Sequence, residues 1–79
     1  MSFKIKDNVD LTKDLIKYGF KYLFINGCVL WNGHPSNDAS FIEIDLKTRE
    51  IYIGEYENDA YKVNILLRMA LDGLIEECN

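Results

Sequence analysis

His34, Cys28, Cys78 and several paired carboxylates are the side chains of this sequence with reactive potential. His34 is the only histidine, and it stands in Gly33-His34-Pro35-Ser36-Asn37-Asp38. A general base needs a group to orient it, and a metal site needs several ligands at set spacings. The neighbours of His34 offer only Asn37 and Asp38, so it reads as an exposed loop histidine. A small enzyme built on His34 and an acid is the competing reading, and a pH-dependent activity lost in His34→Ala would reveal it. Cys28 and Cys78 lie far apart and match no zinc spacing. Both read as reduced thiols, since a bridge between them would need an oxidising compartment. Cys28 is expected among Leu23, Ile25 and Leu30, where burial raises a thiol pKa and leaves it inert. Glu43 with Asp45, Glu55 with Glu57, and Glu76 with Glu77 are paired acids. Their catalytic use would require a sheltered pocket that drives two pKa values apart. A 79-residue chain has little room for one, so they read as a solvated face. No Gly-rich phosphate loop, zinc pattern or nucleophile motif is present. The chain therefore reads as non-enzymatic, with no catalytic residue, metal or cofactor.

Stepping from reactive groups to the chain that carries them, the length allows one domain over residues 1–79. Such a chain buries only about 60–65% of the surface that its unfolded form exposes. At 48% hydrophobic and 28% charged, the composition is that of a globular protein. No run approaches the roughly 20 apolar residues of a membrane span. The basic start, Met1 to Lys6, is not followed by the apolar core of a signal peptide. The net charge of −4 is unevenly spread. Residues 1–21 carry five lysines and three aspartates, whereas residues 38–79 carry ten acids against Lys47, Arg49, Lys62 and Arg68. An acidic chain gains nothing from neutralising phosphates, which argues against direct nucleic-acid binding.

The elements follow from periodicity. Asp10 is a good N-cap, Leu11, Leu15 and Tyr18 share one helical face, and Gly19 ends the element. Phe20–Ile25 and Cys28–Asn32 flank Asn26-Gly27, the preferred two-residue hairpin turn. That turn pairs Ile25 with Cys28, Phe24 with Val29, Leu23 with Leu30, and Tyr22 with Trp31. Phe41–Asp45 and Glu50–Tyr56 form a second hairpin around Leu46-Lys47-Thr48-Arg49. Ile42, Ile44, Ile51 and Ile53 point one way; Phe41, Glu43, Tyr52 and Tyr56 point the other. A second helix is predicted from about Asp59 to Asp72, capped by Asn58, with Ala60, Val63, Leu67 and Ala70 as its inward stripe, widened by Leu66 and Leu71. Leu74–Cys78 reads as a short edge strand after Asp72-Gly73. The predicted fold is α+β: an antiparallel sheet of four to five strands with two helices packed on its isoleucine face, in the order α-β-β-β-β-α-β.

Ten aromatic residues in 79 is a high share. Two helices cover only one face of a sheet, so the other face keeps exposed rings among acids. Tyr and Trp anchor many protein interfaces. The expected partner-binding set is Trp31, Phe41, Tyr52 and Tyr56 with Glu43, Asp45, Glu55 and Glu57.

Three stretches carry a resemblance: Lys4-Ile5-Lys6-Asp7-Asn8-Val9-Asp10-Leu11, Leu15-Ile16-Lys17-Tyr18-Gly19-Phe20-Lys21-Tyr22, and Leu71-Asp72-Gly73-Leu74-Ile75-Glu76. Together they resemble small proteins carried by phages and prophages of low-GC Gram-positive bacteria. Trp31 to Ser40 has no counterpart in that resemblance. It implies a phage-type gene, a bacterial cytoplasm and a role in disabling a host system by binding it; it implies no catalytic residues. The expectation is a binding protein that inhibits a host protein, such as a basic nucleic-acid enzyme, in the manner of an anti-CRISPR. The alternative is a homodimeric accessory protein that uses the same face on itself.

Overall fold

Period-two alternation shapes most of this chain. The computed structural model describes residues 2–33, 40–54 and 60–78. Cys28-Val29-Leu30-Trp31 and Ile42-Glu43-Ile44-Asp45 are the two central runs of the alternation. They form the middle of an antiparallel meander of β2 (Lys21–Leu23), β3 (Cys28–Trp31), β4 (Ile42–Asp45) and β5 (Ile51–Ile53). Ser2–Ile5, a stretch in which no strand is expected, forms β1. It pairs antiparallel with β6 (Ile75–Cys78) in a separate two-stranded ribbon, with Ser2 opposite Cys78 and Ile5 opposite Ile75. The expected closing strand thus forms, but it joins β1 and not the meander. A Lys4–Glu50 bridge and a 2.9 Å bond from Ile5 N–H to the Arg49 carbonyl tie the ribbon to β5.

The expectation of two helices is corrected. Among the described residues there is one α-helix, α1 (Ala60–Leu71), with six strands in two sheets. The Asp10 cap does form: its Oδ1 accepts from Thr12 N–H (2.9 Å) and Lys13 N–H (3.2 Å). Gly19 also adopts its left-handed conformation, at φ 97°. Between these two signals there is room for little more than two turns, and a short helix barely offsets its nucleation cost. The segment instead makes turns and a 3-10 helix at Ile16–Tyr18. This winding still buries Leu11, Leu15 and Tyr18.

The first hairpin also departs from expectation. Leu23 pairs with Cys28, Tyr22 with Val29 and Lys21 with Leu30. The connection is therefore Phe24-Ile25-Asn26-Gly27, and the register is displaced by two residues. Of the two turn residues only Gly27 has positive φ, whereas the two-residue turn needs it at both. A shift of two preserves which residues share a face. The second hairpin turns over 46–49 as expected, with Arg49 at φ 65° and Asp45 Oδ1 accepting from Lys47 and Thr48 N–H.

The core lies between the meander's inner face and the segments that cross it. Val29, Trp31, Ile42 and Ile44 meet Ile5, Val9, Leu11, Leu15, Tyr18, Phe20, Ile65 and Met69 there. Trp31 is packed closely at two glycines: a Cβ on Gly19 or on Gly33 would stand 3.1 Å from its indole. Arg49 fastens the 6–9 segment to the second hairpin, with Nη1 donating to the carbonyls of Lys6 and Val9, both at 2.8 Å.

Helix α1 turns a different face inward from the one expected. Lys62, Ile65 and Met69 are buried, while Ala60, Val63, Leu67 and Ala70 are exposed. Its sequence is apolar almost all round, so a 3.6-residue period does not select one stripe. Lys62 reaches inward to donate to the Gly54 carbonyl at 3.1 Å.

Candidate protein-binding surfaces

Strand alternation gives the meander an outer face of Lys21, Leu23, Cys28, Leu30, Glu43, Asp45 and Tyr52. Tyr52 is 48% exposed, and its hydroxyl donates to Glu50 Oε2 at 3.2 Å. That bond to an acid raises the Tyr52 pKa. Asp45 is held below its ordinary pKa by the backbone N–H groups of Thr48 and Lys47, so part of its carboxylate serves the turn. Cys28 is buried, and burial, followed by its hydrogen bond to Glu43, pushes its thiol up to about 11. A thiol so protonated is a poor nucleophile. The described ion pairs are both made by Lys4, with Asp7 and Glu76 at 3.4 Å each. Glu43, Asp45 and Glu50 thus hold three negative charges together without an ion-pair partner among the described residues. A shallow hollow of about 260 Å³ beside them is lined by Leu23, Cys28, Leu30, Phe41 and Glu43 with Asn26 and Asn32.

The residues expected to bind a partner are separated by this arrangement. Phe41, Glu43, Asp45 and Tyr52 come together on the outer face. Trp31, expected as a surface anchor, is only 6% exposed and belongs to the core. The reason is pairing: Trp31 stands opposite Ile42, so it shares the isoleucine face. Glu55, Tyr56 and Glu57 lie outside the described residues, as does His34.

A second surface escaped the sequence reading. Between α1 and the inner side of β5, β1 and β6 runs an open groove of about 400 Å³. Its walls are Phe3, Ile51, Ile53, Val63, Leu66, Leu67, Ala70 and Ile75, all apolar. Val63 and Leu67 are each 54% exposed and Leu71 is 77% exposed. The signal for it lies in the helix composition. Ala60-Tyr61-Lys62-Val63-Asn64-Ile65-Leu66-Leu67-Arg68-Met69-Ala70-Leu71 offers only Lys62, Asn64 and Arg68 as polar residues, and Lys62 is buried. A helix without a polar face is ordinarily covered on more than one side.

A third feature is polar. The Tyr18 hydroxyl donates to Asp72 Oδ2, and Lys17 Nζ and the Arg68 guanidinium lie 5.2 and 5.5 Å from its ring centre. Burial first, then the bond to Asp72, pushes the Tyr18 pKa up to about 12. The cluster fastens the 3-10 segment to the end of α1. Among the described residues no three His, Cys, Asp or Glu side chains gather as metal ligands. Nor is any described helix long and apolar enough to cross a membrane. No known family model, curated protein or solved structure matches the chain.

Proposed function

We propose that the chain is a non-enzymatic module that acts by binding other protein chains, and that the α1 groove is its principal contact surface. One observation carries this reading: the exposed apolar side chains Phe3, Ile53, Val63 and Leu67 border one continuous groove instead of being scattered. Single exposed hydrophobic residues are normal on any protein, but contiguous apolar patches mark interaction sites. The test is affinity capture by the tagged protein and by its Leu67→Glu variant, both checked for native circular dichroism. Partners held by the groove are lost from the variant. An identical set captured by both proteins refutes the assignment.

A second reading is favoured by Glu43, Asp45 and Glu50, without an ion-pair partner among the described residues, beside Tyr52. Through this acidic outer face the module would occupy a basic surface, such as the nucleic-acid groove of a host enzyme. This is how a phage-borne inhibitor in a bacterial cytoplasm would act. Charge attraction at an exposed face is screened by salt. Capture through this face therefore weakens as salt rises, survives nuclease treatment, and is lost in Glu43→Gln/Glu50→Gln. Salt-independent capture, or capture unchanged in that variant, excludes it.

A further inference from the structure

The geometry points to a second copy of this chain as the occupant of the α1 groove, in a two-fold dimer; this deepens the groove reading and rests on it. Val63, Leu67 and Leu71 recur at every fourth position and stand out as a ridge. Directly beside that ridge lies the rest of the groove, lined by Phe3, Ile53, Leu66 and Ala70. A two-fold interface uses one patch on both subunits, so each patch must offer both a protrusion and a recess. This patch does so: the i, i+4 ridge of one helix fits the groove beside the other in the ordinary manner of helix packing.

Area and charge agree with this occupant. Phe3, Ile53, Val63, Leu67 and Leu71 are 45–77% exposed. With large apolar residues presenting on the order of 200 Å² when bare, they offer on the order of 500 Å² per copy. The half-buried walls Ile51, Leu66 and Ile75 add to that. Stable interfaces of standard size bury about 600–1,000 Å² on each side, and patch and rim together reach the lower end of that range. Among the described residues no ionisable side chain lines the groove. The acids Glu43, Asp45 and Glu50 point from the other side of the sheet, so two chains of net charge −4 can meet here without opposing their acidic faces. Glu77 stands opposite Phe3 at one end of the ribbon. In such a dimer the two outer faces point away from the interface, and the module becomes bivalent.

The experiment is sedimentation velocity of the full chain under reducing conditions, from about 1 to several hundred μM, beside Leu67→Glu and Val63→Glu. Both substituted positions are half-exposed, so both variants should keep native circular dichroism. The expected result is a wild-type dimer whose dissociation constant rises at least 100-fold in each variant. A wild type that stays monomeric throughout overturns the proposal, as does a dimer that both folded variants preserve. An apolar dye such as bis-ANS separates this failure from that of the underlying reading. Dye bound by a monomeric wild type but not by Leu67→Glu overturns the dimer alone. Equal dye binding by both overturns the groove as a contact surface too.

Discussion

On the inner face of the β3–β4 pair, Val29, Trp31, Ile42 and Ile44 are at most 6% exposed; on the outer face Cys28 is buried too, but Leu30, Glu43 and Asp45 stay partly open to solvent. Both faces come from the same alternating strands. The difference is made by segments distant in sequence: the 5–20 stretch and α1 lay Ile5, Leu15, Phe20 and Met69 over one side only. Towards β5 even the inner face loses its cover, and there the α1 groove opens. Local pattern divides residues between faces, while non-local packing decides which face becomes core.

The sharpest way to break this comparison is to truncate one aromatic on each face. Trp31→Ala removes a packed indole and should cost about 3–5 kcal/mol, a large part of the stability of a small domain. Tyr52→Ala should cost less than about 1 kcal/mol, because its ring is half in solvent. Urea denaturation followed by circular dichroism measures both. Equal costs would mean that something covers the outer face as well.

Arg49→Ala tests how the inner layer is fastened. The variant leaves two carbonyls without their charged donor, and a loss of about 2–3 kcal/mol is expected. Arg49→Lys supplies one charge in a different geometry and should restore only part of it. Full recovery with lysine would show that charge, and not the paired hydrogen bonds to the Lys6 and Val9 carbonyls, is what matters.

A further effect concerns Tyr18 and pH. The folded state favours the neutral phenol, with a pKa of about 12 against an ordinary value of 10.0. Its contribution is therefore intact below pH 10 and is lost as pH rises towards 12. The loss should be on the order of 2 kcal/mol. Tyr18→Phe should flatten this part of an alkaline stability profile, and an unchanged profile would place the titration on other groups.

Much of the local structure was legible in the sequence. The α+β class, the meander, the 46–49 turn, helix α1 and the strand after Gly73 each rest on short-range pattern or turn chemistry. What was not legible depended on choices between near-equal local options. Asp10 and Gly19 mark the ends of a helix correctly, but they do not reveal that the space between them suits a tighter winding. Asn26-Gly27 marks a turn, yet Phe24 and Ile25 enter the loop, and Ile25 is almost fully exposed. On α1, Val63 and Leu67 fit an inward stripe as well as Ile65 and Met69 do. The groove was hidden for the same reason, since Val63 and Leu67 have the composition of core residues.

The ribbon of β1 and β6 sets a condition on biosynthesis. Its paired residues stand 70 to 76 positions apart, as in Ile5 with Ile75 and Ser2 with Cys78. A ribosome therefore delivers β1 long before its partner strand exists. During that interval the backbone of β1 is held by the second hairpin, through the Arg49 carbonyl and the Lys4–Glu50 bridge. Until β6 emerges, β1 keeps an unpaired backbone edge, the kind of edge that recruits other chains. The nascent protein is thus exposed to misassembly until β6 leaves the exit tunnel.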